Sequence, residues 1–355
     1  PKGWILPVIP GTKYASIGGA VAVNIHGKNH YKMGEIGRHI TRLRLLLPSG
    51  KYLICSPKHE VDVFWATVGG MGMTGIIEEI TLKLQPLTSL SLRTVTQKAY
   101  TLDAMIALFR QYVGEADYMV GWIDHFASRD EIGRGVFERA YHISSRQGGA
   151  PLSGYTPASR SLSVPCNLPS SLLNRYTMRL YNWYRFWRYD NSPFEEVKSL
   201  EQFFHPLDSL GNWYRLYGKR GFFQYQFILP DGEQVADHIK EILNIIHEKD
   251  CFSYLAVIKF HGKQEGMIGF SMPGFSVALD LPHNRKTTLL IKRLDELVIE
   301  KGGRVYLAKD ATLSPEHFSR MYKEHLTTWR NVLKRVDPKA KIGSLMAKRL
   351  RFRGA

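Results

Sequence analysis

The densest group of chemically capable residues lies between Ser16 and Ile40. A histidine and a lysine, His26 and Lys28, flank Gly27 in this segment. Its other glycines are Gly18, Gly19, Gly34 and Gly37. A glycine lets the backbone approach a planar or phosphorylated ligand where a Cβ would collide, and its N–H remains able to donate. The pattern favours a ligand cradle in which His26 or Lys28 stabilises developing negative charge, although tight turns alone would also explain the glycines.

Further along the chain, polar side chains interrupt apolar strands. Gln224 and Gln226 alternate in FQYQFILP, so both point to one face of a strand. That face suits sugar hydroxyls, and an exposed strand face would look the same. Lys259 lies in the apolar string AVIKFHG, where an unpaired ammonium is costly, so we expect it to contact a carboxylate or a substrate phosphate. Lys309 precedes Asp310, and a salt bridge is the simplest interpretation from these residues alone.

The composition is typical of a globular protein that attracts anions. The 355 residues are 44% apolar and 12% aromatic, which excludes a disordered or collagen-like chain. A net charge of +16 favours polyanions or an anionic membrane surface as partners. Cys55, Cys166 and Cys251 form no CxxC pattern, which excludes a small disulfide scaffold and suits a reducing compartment. No apolar stretch reaches the roughly eighteen residues that a membrane-spanning helix needs.

Two basic segments could contact such partners. Arginines interleave with tyrosine, tryptophan and phenylalanine between Arg175 and Tyr189. This composition suits a membrane interface, a nucleic-acid surface or a packed helix with a solvated face, and the packed helix is the simplest interpretation. The stretch from Arg320 to Ala355 predicts a helix with a basic tail.

The elements that must position these residues form three stretches. Residues 1–89 contain short apolar runs between glycine-rich turns, including a hairpin around the Pro-Ser-Gly turn. The following residues mix helix and strand patterns, with a helix over TLDAMIALFRQYV and strands over GFFQYQFILP, YLAVIKFHG and FSVALDLP. The Gly-, Pro- and Ser-rich run 148–171 predicts a long loop. The chain begins at Pro1 without a basic leader, and we expect its natural N-terminus to lie further upstream.

Eight strings occur in a fixed order along the chain: LPVIPGT, SIGGAVAVNIHGKNH, FWATVGGMGMTGII, HPLDSLGNWYRLYG, FQYQFILP, AVIKFHG, MPGFSVALDLP and YLAKDA. Together they resemble FAD-dependent oxidases of the vanillyl-alcohol-oxidase type, and among these the decaprenylphosphoryl-ribose 2′-oxidases. The resemblance implies an α+β, two-domain flavoprotein with an incomplete FAD-binding domain and a substrate domain built on an antiparallel sheet. Residues 1–89 would form the second half of the FAD-binding domain, residues 90–304 the substrate-binding domain, and residues 305–355 the C-terminal return to the FAD-binding domain.

The same resemblance assigns residues to a non-covalently bound FAD, and it implies no metal site. The positions on or near the flavin would be Gly11, Thr12, Gly18, Gly19, Asn24, Ile25, His26, Gly27, Asn29, Gly72, Gly75, Ile77 and Tyr306. His26 and Lys28 would be polar partners of the ring, with a histidine satisfied within the core as the plain alternative for His26. The family's pyrophosphate-gripping loop is absent from the sequence, so we expect this polypeptide to bind FAD poorly or not at all. A stoichiometric yellow flavin would contradict that expectation.

In the substrate site, the resemblance makes Lys309 the residue that orients or deprotonates the reacting hydroxyl, and so favours a catalytic role over the salt bridge. The substrate-binding positions would be Gln224, Gln226, Lys259, Ser276 and Ala278. Mycobacterial members of the family carry a cysteine that nitroaromatic inhibitors trap where this chain has Ala278, and an amide side chain in place of Ser276. We therefore expect no covalent capture at Ala278.

The implied reaction is oxidation of a secondary hydroxyl of a polyprenyl-phosphoryl pentose to a ketone, with hydride transfer to flavin N5. The implied partners are a quinone-like acceptor or oxygen, and a short-chain reductase that completes an epimerisation for cell-wall arabinan. The implied location is the periphery of the bacterial inner membrane, on a face that the sequence does not define. Two alternatives stay open: an aldonolactone or alditol oxidase of the same fold, and a basic nucleic-acid-binding protein, which the ordered strings disfavour.

Overall fold

The computed structural model describes residues 2–154, 162–169, 172–249 and 251–354. Its strands are β1 (Trp4–Ile5), β2 (Ile40–Leu46), β3 (Tyr52–Cys55), β4 (Ile76–Leu82), β5 (Gln85–Pro86), β6 (Ser91–Ala99), β7 (Tyr118–Ile123), β8 (Gly135–His142), β9 (Phe194–Ser199), β10 (Phe222–Pro230), β11 (Ala256–His261), β12 (Gly274–Pro282) and β13 (Arg304–Val305). Its α-helices are α1 (Ile17–Ala22), α2 (His30–Met33), α3 (Val61–Thr67), α4 (Leu102–Tyr112), α5 (Arg175–Trp187), α6 (Leu200–Phe204), α7 (Val235–Glu248), α8 (Arg285–Glu300), α9 (Pro315–Met321), α10 (Lys323–Val336) and α11 (Leu345–Arg349).

An eight-stranded antiparallel sheet carries the middle of the chain, in the order β13-β10-β12-β11-β7-β8-β6-β9. Side chains alternate between its two faces, and one face packs against α4, α7 and α8. The large apolar residues of that face, Phe137, Ile258, Phe275, Val277 and Leu279, are fully buried. The opposite face is therefore available for polar side chains.

Helix α4 packs unusually close to this sheet. Thr101 caps the helix by accepting a hydrogen bond from the Ala104 N–H. A Cβ at Gly121 would lie 2.5 Å from Ile258 Cγ2 and 2.8 Å from Met105 Sδ, so glycine is needed for this approach. The predicted helix is confirmed at α4, and the predicted strands are confirmed at β10, β11 and β12.

A smaller sheet, in the order β3-β2-β4, precedes the large one in the chain. Its strands β2 and β3 form the predicted hairpin. The C-terminal helices return to this region: Trp329 of α10 is fully buried and donates from Nε1 to the Ala66 carbonyl of α3 at 3.0 Å. The predicted helical C-terminus is thus confirmed at α10 and α11.

One apolar cluster runs through all three stretches of the chain and includes Val21, Phe137 and Trp329. The mixture of helices with antiparallel strands confirms the α+β class. The division into domains after residues 89 and 304 stays a prediction.

The basic aromatic segment forms helix α5, as its simplest interpretation predicted. Asn174 and Thr177 make a capping box at its N-terminus. Met178, Asn182 and Phe186 are buried at successive four-residue intervals, which places them on one face of the helix. The packed-helix interpretation is therefore confirmed for this inner face.

The loop predicted over 148–171 is described only in part, because residues 155–161, 170 and 171 lie outside the described residues. Leu152–Gly154 forms a short 3-10 turn, and Ser163 bridges to Gly211. Among the helices of the described residues, none combines the length and the apolar character that crossing a bilayer requires.

Candidate active site

The polar side chains of β10 and β12 meet on the face of the large sheet that lies opposite α4, α7 and α8. The strands pair so that Gln224 lies opposite Asp280 and Gln226 lies opposite Ala278. Gln224 donates from Nε2 to Asp280 Oδ1 at 3.1 Å, and Gln226 donates from Nε2 to the Ser276 hydroxyl at 3.4 Å. Gln226, Ser276 and Asp280 are all buried. We call these five residues the polar ladder; it is an internal surface rather than an exposed strand face.

His26 meets the polar ladder from the N-terminal part of the chain. Gln226 Nε2 lies 3.0 Å from His26 Nε2, and because an amide nitrogen can only donate, His26 Nε2 is the acceptor. The proton of the neutral imidazole is therefore on Nδ1, which has no hydrogen-bond partner among the described residues. The rings of Tyr306 and His261 each lie 4.9 Å from the imidazole, centroid to centroid.

Lys309 approaches the same ladder from beyond β13. It ends a short 3-10 turn whose position is fixed because the Tyr306 N–H donates to the Gln226 carbonyl at 2.8 Å. Asp310 pairs instead with Arg349 at 2.7 Å. The prediction of a salt bridge between Lys309 and Asp310 is therefore wrong. Lys309 forms no ion pair with any described residue.

Burial and charge act together on the ionisable groups of this site. Burial lowers the pKa of Lys309, and the Asp280 carboxylate opposes this shift. Burial, reinforced by the charges of Lys309 and Lys28, lowers the pKa of Lys259 to about 7. Burial raises the pKa of Asp280 to about 6, against the charge of Lys309 and two hydrogen bonds. The site thus holds groups that change charge near neutral pH.

Lys259 stands beside the ladder on β11, where it pairs with Ser276 of β12. No described residue forms a hydrogen bond or an ion pair with its ammonium. The expectation that Lys259 contacts a carboxylate is therefore wrong for the residues that the structure describes. The alternative, a substrate phosphate, stays a prediction.

His26 is held neutral. Burial lowers its pKa well below the ordinary value, and the charges of Lys259, His30 and Lys309 act in the same direction. Because the charge of Lys309 lowers the pKa of His26, the two side chains must lie close together. The structure therefore brings these two predicted residues to one site, although they are distant in sequence.

Lys28 turns toward α6 instead. Its ammonium donates to the Phe203 carbonyl and lies 3.9 Å from the centroid of the Phe203 ring. Burial lowers the pKa of Lys28 to about 8, partly offset by Glu138. Its predicted contact with a flavin stays a prediction, and its ammonium already has two contacts within the protein.

Comparison with known proteins identifies the family. The FAD binding domain family matches residues 1–56. Decaprenylphosphoryl-beta-D-ribose oxidase of Mycolicibacterium smegmatis is 34% identical over 99% of this chain and 77% of its own length. The chain belongs to the decaprenylphosphoryl-β-D-ribose oxidase family. An uncharacterized protein in the mprA 5' region of Streptomyces coelicolor is 30% identical over 99% of this chain and 96% of its own length. A putative D-arabinono-1,4-lactone oxidase of Neurospora crassa is 38% identical over 25% of this chain and 16% of its own length.

As a member of the decaprenylphosphoryl-β-D-ribose oxidase family, the protein is an FAD-linked oxidoreductase of the vanillyl-alcohol-oxidase type. The residues around His26 fit this cofactor. Its buried Nδ1–H lacks an acceptor among the described residues, and a flavin carbonyl or ring nitrogen is such an acceptor. A Cβ added at Gly11 or at Gly18 would meet no atom within 4 Å, so the backbone there has an open side that a cofactor can cover. Non-covalent attachment stays a prediction.

Two amides assigned to the flavin are engaged in holding the protein together. Asn24 donates to the Glu35 carboxyl at 2.7 Å and accepts from the Gly37 N–H at 2.9 Å. Asn29 donates from Nδ2 to the Pro7 carbonyl at 2.9 Å. Their side chains shape the cradle, and any contact with the flavin stays a prediction.

Other positions in the cradle also make protein contacts. The Thr12 hydroxyl donates to the Asp208 carboxylate at 3.1 Å. Gly19 donates its N–H to the Ser16 hydroxyl at 3.1 Å, which caps α1, and Ile25 is buried in a small apolar cluster. These contacts fix the course of the backbone around His26 and leave the flavin assignments as predictions.

Gly27 and Tyr306 lie directly at the site. A Cβ at Gly27 would be 2.7 Å from Asn29 Oδ1, so this position tolerates only glycine without a shift. Tyr306 packs against His26 and donates from its hydroxyl to the Val23 carbonyl at 3.3 Å. Both residues therefore set the position of the imidazole.

Ile77 lies on β4 at the edge of the smaller sheet, and Gly72 and Gly75 lie in the loop that leads into this strand. Gly72 has a φ of +75° and open space around it. A Cβ at Gly75 would lie 2.9 Å from the Leu46 carbonyl, and Ile77 is part of β4, which pairs with β2. Their assignment to the flavin stays a prediction.

Sequence reasoning missed two residues of the large sheet. Asp280 follows Ala278 by two positions, and His261 follows Lys259 by two positions. His261 Nε2 lies 2.8 Å from the Ser276 hydroxyl. Because residues two apart on a strand share a face, the same alternation that singled out Gln224 and Gln226 could have found them.

A buried acid behind His26 was also missed. Burial raises the pKa of Glu35 to about 7. His30 lies 4.0 Å from the Glu35 carboxyl, and its ring is 4.6 Å from that of His261. No sequence spacing indicates this cluster, which forms only when α2 meets β11.

Within the described residues, no three His, Cys, Asp or Glu side chains are placed to hold a metal ion.

Proposed function

We propose that this FAD-linked oxidoreductase oxidises a secondary hydroxyl of a polyprenyl-phosphoryl pentose to a ketone. The observation that carries the proposal is the convergence of Lys309 and His26 on the polar ladder. Amide, carboxyl and lysine groups on one sheet face offer a sugar several donors and acceptors at once. The name of the Mycolicibacterium smegmatis relative, decaprenylphosphoryl-beta-D-ribose oxidase, supports the substrate class.

In this proposal the substrate loses a hydride from its carbinol carbon and a proton from its hydroxyl. FAD, when bound, supplies the hydride acceptor. Lys309 orients the hydroxyl and, in its neutral form, accepts the proton. Burial favours that neutral form, and the Asp280 carboxylate stabilises the ammonium that results. Gln224 and Gln226 hold neighbouring hydroxyls in place.

Lys259 would contact the phosphate of the substrate. Its ammonium is unpaired among the described residues, and it stands beside Ser276 at the ladder. A bound phosphate would raise the pKa of Lys259 and so keep it charged. The methyl group of Ala278 leaves the adjacent position without a nucleophile.

The electron acceptor would be a quinone-like molecule or oxygen, and a short-chain reductase would complete an epimerisation for cell-wall arabinan. These assignments rest on the resemblance to the family, because the name of the Mycolicibacterium smegmatis relative mentions only an oxidase of decaprenylphosphoryl-beta-D-ribose. A substrate with a polyprenyl chain resides in a bilayer, so the enzyme would work at the periphery of the bacterial inner membrane.

A second candidate is an aldonolactone or alditol oxidase on the same fold, which the short match to a lactone oxidase supports. The two candidates differ in whether the site must accept a phosphate and a long apolar tail. Lys259 would have no anion to bind in the second candidate.

Because weak FAD binding is expected, the protein is first titrated with FAD until the visible absorbance of the bound flavin saturates. The test is then anaerobic reduction of that flavin, followed as loss of the visible absorbance of its oxidised form. We expect polyprenyl-phosphoryl ribose to bleach the flavin, and Lys309→Met to slow the bleaching at least about 100-fold. Lys301→Met, which removes a surface lysine paired with Glu241, is the matched control and should not slow it. Bleaching by a soluble lactone alone would favour the second candidate. Salt-sensitive DNA binding, together with no FAD uptake by the full-length protein, would favour a nucleic-acid-binding protein.

A further inference from the structure

We propose that the outer face of α5 docks the protein on an anionic lipid surface. This proposal adds an interaction surface to the proposed function, because it names where a lipid-linked substrate would be met. Its experiment requires no turnover, so its failure and the failure of the proposed oxidation can be told apart.

The outer face of α5 carries a continuous apolar stripe. Tyr176, Leu180, Trp183 and Trp187 lie at positions i, i+4, i+7 and i+11, which puts them on one side of the helix. They are 81%, 66%, 54% and 48% exposed, respectively. A surface helix normally turns such a stripe toward the core. In α5 the side that faces the core is the one with Met178, Asn182 and Phe186, so the apolar stripe stays exposed and can contact a partner.

The charge around the stripe indicates which partner fits. Arg179 and Arg188 are exposed, and neither forms an ion pair with any described residue. The sequence has no Asp or Glu between Glu138 and Asp190. Tryptophan and tyrosine are enriched at headgroup depth, where arginine meets lipid phosphate. An apolar stripe flanked by uncompensated arginines therefore matches an anionic lipid surface.

The inner face of α5 fixes the helix over the sheet face that carries the site. Phe186 is fully buried against Trp122 and Val136. Trp122 pairs with Val257, and Val257 pairs with Ala278 of the polar ladder. Directly paired residues share a face of a sheet, so α5 covers the same face as the ladder. Docking of the stripe would therefore bring the site next to the lipid that holds the substrate.

The test is co-sedimentation with vesicles of mixed phosphatidylglycerol and phosphatidylcholine, compared with vesicles of phosphatidylcholine alone. We expect binding to the anionic vesicles, weakening as salt rises, and much weaker binding to the neutral ones. The double variant Arg179→Gln/Arg188→Gln should lower the partition onto anionic vesicles roughly 30-fold. Leu180→Gln/Trp183→Gln should lower it at least about ten-fold, because two apolar groups can no longer insert. Both pairs are exposed, and unchanged thermal unfolding would verify that the fold is intact.

Matched controls remove similar groups elsewhere on the surface. Tyr52→Gln/Leu345→Gln removes two exposed apolar groups, and Lys51→Gln/Lys58→Gln removes two charges. Neither control should change vesicle binding more than two-fold or so. Equal binding to neutral vesicles, or binding that the α5 variants leave intact, would overturn the proposal.

Two other results would also overturn it. If the protein does not bind vesicles but forms a dimer that Leu180→Gln/Trp183→Gln dissociates in gel filtration, the stripe contacts a second copy. If it binds duplex DNA but no vesicles, and Arg179→Gln/Arg188→Gln abolishes that binding, the arginines serve a nucleic acid.

Discussion

Replacing Lys259 by methionine should stabilise the folded protein while removing a group from the site. In the folded chain, burial together with Lys309 and Lys28 lowers the pKa of Lys259 from 10.5 to about 7. Below pH 7 both the folded and the unfolded chain hold the proton, and the folded chain bears the full penalty. Between pH 7 and 10.5 the unfolded chain binds more protons, so the free energy of unfolding rises with pH. Above 10.5 the penalty has disappeared.

The size of the effect follows from the two pKa values of Lys259. The interval from about 7 to 10.5 corresponds to at most about 5 kcal/mol of unfolding free energy. The side chain is half-buried, and contact with solvent reduces the penalty, so about 2–4 kcal/mol is the expected gain for Lys259→Met below pH 7. Methionine fills a similar volume, so packing should change little.

The assay is urea unfolding of the wild type and of Lys259→Met, once below pH 7 and once near 10.5. The variant should be more stable at the lower pH and equal at the higher one. Lys198→Met is the control: burial opposes its charge, but Glu138 and Glu196 outweigh burial and raise the pKa of Lys198. Its removal should therefore destabilise the protein below pH 7. A Lys259→Met protein that is less stable than the wild type at the lower pH, or equally stabilised at both, would refute the reasoning.

Three further predictions concern the polar ladder. Asp280→Asn removes the charge that opposes the lowering of the Lys309 pKa, so the rise of the flavin reduction rate with pH should move to lower pH in a pH profile. Gln226→Leu leaves the buried His26 Nε2 without a donor, so the free energy of unfolding measured in urea should fall by about 1–3 kcal/mol. Ala278→Cys places a thiol on the ladder. With FAD and a reducing substrate present to convert the nitro group to a nitroso group, which a thiol can attack, mass spectrometry should detect a nitroaromatic adduct on this peptide in the variant and none in the wild type.

Local patterns predicted the parts of the fold whose geometry depends on neighbouring residues. The alternation of Gln224 and Gln226 placed both on one face because strand geometry repeats every two residues. The hairpin of β2 and β3 and the helix α4 followed from turn residues and helical spacing in the same way.

Contacts between distant segments could not be predicted by such patterns. His26 and Gln226 are 200 residues apart, and nothing near either of them indicates the hydrogen bond. Lys309 and Asp310 are adjacent, yet Asp310 pairs with Arg349 because α11 returns to that turn. Lys28 likewise contacts Phe203 of α6. Tertiary packing decides these partners, and for the FAD assignment family resemblance supplied what spacing could not.

The short strand β13 determines where residues can be inserted if the loops around the site are to be engineered for other substrates. It joins β10 through two residue pairs, Phe227 with Val305 and Ile228 with Arg304, and Lys309 follows shortly after. A one-residue slip in this pairing would turn the side chains of Arg304 and Val305 to opposite faces of the sheet and shift the turn that carries Lys309. Lengthening the chain just before β13 would therefore carry Lys309 away from the polar ladder, whereas the turn ahead of β10 lies outside this pairing and is the better place for insertions.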